Sequence, residues 1–311
     1  MRQHSSSIGI FAIACGLLTN ASVAQAAIET WVSGTGSDAG NCPITAPCQT
    51  FAYAHSKTNA TGSIYVLSSG NFGPVTITKP ISIVAEGVEA VIDSAADGAG
   101  IIVQGGGGAI VSLRGLTIDL RGSNNIGISF LAGAALHVHN CVIRRSADGI
   151  RFTPAAGTSE LYVADSVIES PSGSGIDVRP TGSASVKAAL DRVRVQNGSQ
   201  NGIGFGGNNT SGSIAATVRD SVSAGNGPLG IFAVEQGSGT TEVMIDQSAS
   251  VNNSDTGIFA SGAGARIHIG NSTVSGNGGA ALFTQSSGVI NSYQTNQITG
   301  TGVPTNIIPM R

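Results

Sequence analysis

The sequence predicts an all-β protein wound as a parallel solenoid, and three observations carry that expectation. A Gly-Ile phrase recurs at Gly100-Ile101, Gly127-Ile128, Gly149-Ile150, Gly175-Ile176, Gly202-Ile203, Gly230-Ile231 and Gly257-Ile258, with a degenerate Ala281-Leu282, on average about every 26 residues. Within the units apolar residues alternate at period two, and none holds a sustained helical pattern. The composition agrees: 45 glycines among 311 residues, 41% hydrophobic and only 11% charged, against ~25% charged in ordinary globular proteins. A short strand that buries one face needs a neighbour. Stacked units supply it, with Gly, Asn, Ser and Asp at turns where the backbone takes positive φ.

The same figures exclude other classes. Charge-driven disorder does not fit this apolar content or a mean hydropathy of +0.19. The glycines keep no three-residue period, which excludes collagen, and Glu, Lys and Leu are too scarce for a coiled coil. A net charge of −3 with scattered charges offers no nucleic-acid-binding face. Leucine-rich repeats would need more leucine, although Leu113 to Asn124 matches their pattern once. A calcium-binding nonapeptide resemblance at Gly173 to Asp177 occurs once, with Arg179 where an apolar residue is needed.

In chain order, residues 1–26 carry Arg2 and His4, an apolar run from Ile8 to Leu18 and Ala24-Gln25-Ala26, the layout of a secretory signal peptide cleaved after Ala26. A secreted or periplasmic protein is therefore expected, and no later run approaches the ~20 apolar residues of a membrane span. Residues 27–63 form the expected N-terminal cap, needed because a solenoid end exposes its core. Within it Thr50 reads as the N-cap of a short helix, Phe51 to Lys57, that lays Phe51 and Ala54 over the first coil. Cys42 and Cys48 flank a short loop bent by two prolines and are expected to form a disulfide, since zinc-ligand spacing is missing around them. The solenoid itself is placed at 64–302, with early strands at 64–67, 75–77, 81–84 and 90–92 and ten or eleven coils in all. An apolar tail, 303–311, is expected either to close the C-terminal end or to fold along the outside.

The repeated Gly-Ile-x-Val and Asp-Ser phrases resemble the right-handed parallel β-helix of the pectin-lyase-like superfamily. The opening Trp31-Val32-Ser33-Gly34-Thr35-Gly36-Ser37-Asp38, followed by Cys42 and Pro47-Cys48-Gln49-Thr50-Phe51, is similar to that of exported bacterial β-helix proteins. The resemblance covers about residues 30 to 300 and specifies fold far better than activity. It implies a search for chemistry on acidic polysaccharides. The polygalacturonase-like signature requires adjacent aspartates and a Gly-His-Gly, and the chain has neither Asp-Asp nor Gly-His.

For a calcium-dependent lyase, Asp165, Glu169 and Asp191 with Arg192 and Arg194 come from adjacent coils and are the candidates for a cation site beside a base. The competing reading makes Asp165 a turn residue and the arginines solvated partners. His137 and His139 flank Val138 and should both point outward, but His268, in line with His137, lies five coils away, so no metal site is expected. Cys141 aligns with Ser166, Ser221 and Ser272 in an inward column and reads as a buried, inert thiol. Asn140, Asp165, Asp220, Asn271 and Asn296 read as one turn column whose side chains hydrogen-bond between coils.

One position further along each repeat, an outward column is expected: Ile102, Ser129, Arg151, Asp177, Gly204, Phe232, Phe259, Phe283. Arg151 and Asp177 become vertical neighbours and an exposed ion pair. Phe232, Phe259 and Phe283 become a three-ring stack, and exposed rings of this kind mark a contact. The leading expectation is a non-catalytic glycan- or surface-binding rod without cofactor. The alternatives are a polysaccharide-active enzyme of the calcium-dependent lyase type and a structural spacer or adhesin stalk.

Overall fold

The computed structural model describes residues 27–207 and 211–309. The expected signal peptide lies outside the described residues. Each coil lays one strand in each of three parallel sheets: for example Ala135–His139 in sheet one, Val142–Arg144 in sheet two and Ile150–Phe152 in sheet three. Sheet one has twelve strands, from Ala27–Val32 to Asn306–Ile308; sheet two has ten, from Gly70–Asn71 to Gln297–Ile298; sheet three has nine, from Val75–Ile77 to Leu282–Gln285. All pairings between the strands of the three sheets are parallel, so the architecture is the expected all-β solenoid with a single short helix among the described residues.

The repeat isoleucines build the core. Ile101, Ile128, Ile150, Ile176, Ile203, Ile231, Ile258 and Leu282 stand in register along sheet three and are all buried. The glycine before each of the seven isoleucines has a reason the sequence does not show; Leu282, on the last strand of sheet three, follows Ala281. These glycines do not adopt positive φ. They sit where sheet two meets sheet three, and a Cβ would strike both the middle residue of the sheet-two strand and the next coil. At Gly149 it would lie 2.5 Å from Ile168 Cγ2 and 2.5 Å from the Gly175 carbonyl oxygen.

Positive φ is needed at the turn between sheets one and two. Asn140, Asp165, Arg192, Asp220, Gln247 and Asn271 all adopt it, at 47° to 52°. Asn and Asp tolerate this region better than other side chains because they hydrogen-bond locally. Asn140 is exposed and contributes through its conformation; the expected side-chain bonding between coils is met in part, by Arg192 on Asp165 at 2.6 Å and Asn271 on Asp246 at 2.8 Å, and is not a continuous ladder. Asn140→Ala should cost about 1 kcal/mol while Asn140→Gly costs much less, measurable as shifts in a urea-unfolding midpoint. The side-chain ladder runs one residue later. Each buried serine Oγ donates to the carbonyl two residues before it and accepts the backbone N–H of the next-lower coil: Cys141 N to Ser166 at 3.1 Å, Val193 N to Ser221 at 3.0 Å, Ser221 N to Ser248 at 3.1 Å and Ser248 N to Ser272 at 3.1 Å. Asn296 ends this column, accepting from Ser272 N at 2.9 Å, rather than joining the turn column. A second ladder, of buried Asn226 and Asn253 and half-buried Asn277, lines the turn between sheets two and three, each accepting a backbone N–H of the coil below. Cys141 is free and buried, and burial pushes its thiol pKa up to about 11, so it is inert as expected.

The N-terminal end is closed as the sequence implies. Thr50 Oγ1 accepts from Tyr53 N at 3.1 Å, the helix runs Phe51–Lys57, and Phe51 and Ala54 are fully buried. Cys42 and Cys48 are joined. At the other end the tail takes neither expected course in full: Asn306–Ile308 pairs with Val289–Tyr293 as the last strand of sheet one, but Val303 and Ile307 stay exposed, so it extends the sheet edge without closing the core, and it does not cover Phe259 and Phe283 of sheet three.

Candidate functional site

The outward column of sheet three holds register from Thr76 through Ile102, Ser129, Arg151, Asp177, Gly204, Phe232 and Phe259 to Phe283. Its charged middle differs from the expected exposed pair. Arg151 does not bond Asp177; its guanidinium reaches back to Asp148 in the preceding turn, Nε to Oδ2 at 2.7 Å. Asp177 instead takes Arg179 Nη2 at 3.0 Å and 3.1 Å, and it is only 5% exposed. The reason is reach: a long arginine side chain spans two or three residues of its own strand and turn as readily as one strand spacing of ~4.8 Å.

These four side chains line an open cleft of about 470 Å³ together with Thr153, Gly173, Ser174, Gln200 and Asn201. Asp148 Oδ1 also accepts from Ser174 N at 2.8 Å, so one carboxylate is tied to the backbone of the next coil. Burial raises the Asp177 carboxyl above its ordinary pKa; Arg179 opposes the shift and the neighbouring Asp148 charge adds to it. The cleft thus offers two guanidinium groups held by carboxylates, each still partly exposed, and one carboxylic acid that keeps its proton to higher pH. Because the raised pKa means tighter proton binding in the folded state, Asp177 subtracts stability as pH rises through the interval above about 4. Asp177→Asn should therefore gain in unfolding free energy relative to the parent between about pH 3 and pH 7, a trend that paired urea titrations would read directly.

Beyond Asp177 the face drops to Gly204 and Gly206 and then rises to the phenylalanines. Phe259 and Phe283 stack at 5.8 Å with 18° between planes, and Phe283 is 49% exposed. Phe232 does not complete a three-ring stack. Its ring lies over Gly204, where a Cβ would be 2.2 Å from Phe232 Cζ, and it is only 7% exposed. Glycine at 204 leaves a hollow, and the neighbouring ring fills it.

The residues expected to form a lyase site come together only in part. Asp165, Asp191 and Arg192 meet at the turn between sheets one and two. Arg192 bonds Asp165 through Nε at 2.6 Å and Nη2 at 3.0 Å, and bonds Asp191 through Nη1; His139 Nε2 lies 3.1 Å from Asp165. The Arg192 hydrogen bond holds Asp165 below the usual carboxylate range and raises the arginine in turn, so the guanidinium is no base and the carboxylates already have their cation. Glu169 lies at the far end of its sheet-two strand, where Gln196 Nε2 donates to it at 3.4 Å, and Arg194, exposed on the next strand, joins neither group. This donor set does not fit a calcium ion. Among the described residues no group of three or more His, Cys, Asp or Glu side chains could hold a metal. The two histidines both lie on the outward face of their strand, as expected, but with separate partners: His137 meets the Tyr162 ring edge-on, while His139 bonds Asp165.

Asp148 and Arg179 are the cleft residues that the sequence reading passed over. Arg179 was accessible to it, since strand alternation beyond inward Val178 turns it outward. Asp148 was not, because it stands in a turn just before a repeat glycine, where alternation says nothing.

No protein-family model matches the chain, and no curated protein matches it. Among solved structures, the crystal structure of the pectate lyase Pel9A is similar with a TM-score of 0.59 at 13% identity, covering 89% of this chain and 79% of that one. Over most of its length, then, the chain has the right-handed parallel β-helix fold of the pectin-lyase-like type.

Proposed function

We propose that the protein is an exported rod that binds an acidic polysaccharide along the outward face of sheet three. The observation that carries this reading is continuity: the guanidinium cleft at Arg151 and Arg179 and the stacked rings of half-buried Phe259 and exposed Phe283 share one face, separated by Gly204 and the Phe232 ring that lies over it. From Arg151 to Phe283 is five strand spacings, or ~24 Å, a span that suits several sugar residues. Guanidinium groups pair with carboxylates in two-pronged geometry. Flat rings offer apolar surface to the C–H faces of pyranoses. Export is supported by the Cys42–Cys48 disulfide, which belongs to an oxidising compartment, and no helix among the described residues is long and apolar enough to cross a membrane.

A polysaccharide-active enzyme is the second reading, and Asp177 favours it: a buried carboxyl with a raised pKa, facing a second carboxylate in a cleft, suits proton transfer. One titration separates them. The chain from residue 27 is mixed with polygalacturonate, with and without calcium, following both binding heat and the ultraviolet absorbance of unsaturated products. Binding without product, weakened about tenfold by Phe259→Ala and by Arg151→Ala with unchanged unfolding midpoints, is the expected result. Product formation lost in Asp177→Asn would establish the enzyme, and no binding at all would leave only a structural spacer.

A further inference from the structure

We propose that sheet one carries a second, separate carbohydrate site that takes a short neutral oligosaccharide. Two strands of this sheet, Ser185–Asp191 and Ser213–Arg219, place alanines at both inward and outward positions, Ala188 with Ala189 and Ala215 with Ala216. Their neighbours in register are larger: Leu161 and Tyr162 against Ala188 and Ala189 on one side, Glu242 and Val243 against Ala215 and Ala216 on the other, with Met244 next to Thr217, the register partner of Ala189. The surface therefore sinks across two strands between raised walls. Two cavities of about 460 and 510 Å³ fill this depression and meet at Lys187, which lines both.

The walls and floor define the ligand. One wall is Tyr162, 40% exposed, braced edge-on by His137; the other is Met244 with His268 and Tyr293. From Tyr162 to Met244 is three strand spacings, or ~14 Å, so the trough takes an oligosaccharide end. Across the apolar floor stand Glu160, 3.6 Å from Lys187, and Glu242, 3.3 Å from His268. Lys187 already has Glu160 and His268 already has Glu242, so the lining offers a carboxylate ligand no free cation and this trough does not compete for the acidic chain assigned to sheet three. An alkyl chain is also a poor occupant, because it would strip water from Glu160, Lys187 and Glu242 without replacing their hydrogen bonds. Apolar C–H faces bordered by hydroxyls match this alternation of ring, methyl and charged group.

This inference is independent of the sheet-three reading, and its test keeps the two apart. Cellotetraose, xylotetraose and mannotetraose are titrated calorimetrically against the chain from residue 27, against Ala215→Trp, which fills the trough from an exposed position, and against Tyr162→Ala. At least one tetrasaccharide should bind, lose affinity about tenfold or more in both variants, and keep it in Phe259→Ala, while polygalacturonate binding stays unchanged in Ala215→Trp. Circular dichroism melts check folding, and Lys187→Ala replaces any variant that fails to fold. The inference is overturned if no tetrasaccharide binds, if binding survives the trough variants or depends on Phe259, or if Ala215→Trp instead abolishes a concentration-dependent dimer, which would make the trough a contact between copies.

Discussion

Phe152→Ala should lower the unfolding free energy by about 3–5 kcal/mol, the largest loss expected from any single truncation in this protein. Phe152 is fully buried and stacks on Phe130 at 4.1 Å with 13° between ring planes. It stands in register between Phe130 on one coil and Val178 on the next. Removing it opens a cavity bounded by three coils of fixed spacing, and a ladder of parallel backbone hydrogen bonds cannot collapse sideways to refill it. In a solenoid each coil is stabilised by its two neighbours, so the lesion also weakens coupling along the rod. Guanidinium unfolding should show an earlier midpoint and a shallower transition, whereas Phe152→Leu should recover most of the loss. A penalty below about 1 kcal/mol for the alanine variant would contradict the stacked core.

Gly175→Val should cost about 3 kcal/mol, although valine is the better strand former and Gly175 needs no special φ. A Cβ there would lie 2.1 Å from Val195 Cγ1 and 2.8 Å from the Gly202 carbonyl oxygen. Val195 is locked in the sheet-two core and the Gly202 carbonyl accepts a hydrogen bond from Ile176 N at 3.0 Å, so neither can yield cheaply. Gly106→Ala is the matched control. Nothing lies within 4 Å of a Cβ at Gly106, and that change should stay within about 0.5 kcal/mol. Equal effects at the two sites would mean that glycine is used in the repeat for chain entropy and not for space.

The strand faces and their order were legible in the sequence because two periodicities agreed. Alternation at period two sorted inward from outward residues within a strand, and the repeat of about 26 residues set which residues stack. Together they placed the column of seven isoleucines and Leu282 inside and the column from Ile102 to Phe283 opposite it, and both stand in the register expected. The cap was legible for a different reason: Thr50 ahead of Phe51 to Lys57 is a local signal that needs no partner from another coil.

The tertiary structure alone decided everything that depends on what lies beside a side chain. Arg151 chose Asp148 and Asp177 received Arg179 because flexible guanidinium groups settle on the nearest well-held carboxylate, and sequence spacing does not encode how far a turn folds back. Phe232 left its ring column because Gly204, in register between it and Asp177 of the cleft, offered it a hollow. Asp165 and Asp191 acquired Arg192 and so lost their fitness for a cation. The repeat glycines look, in sequence, like turn formers, yet they are a consequence of two sheets meeting at a corner too narrow for a methyl group. Periodicity determines direction and register because backbone geometry is the same in every coil. Contact distances are set coil by coil by side-chain volume and reach, and those are decided only once the coils are stacked.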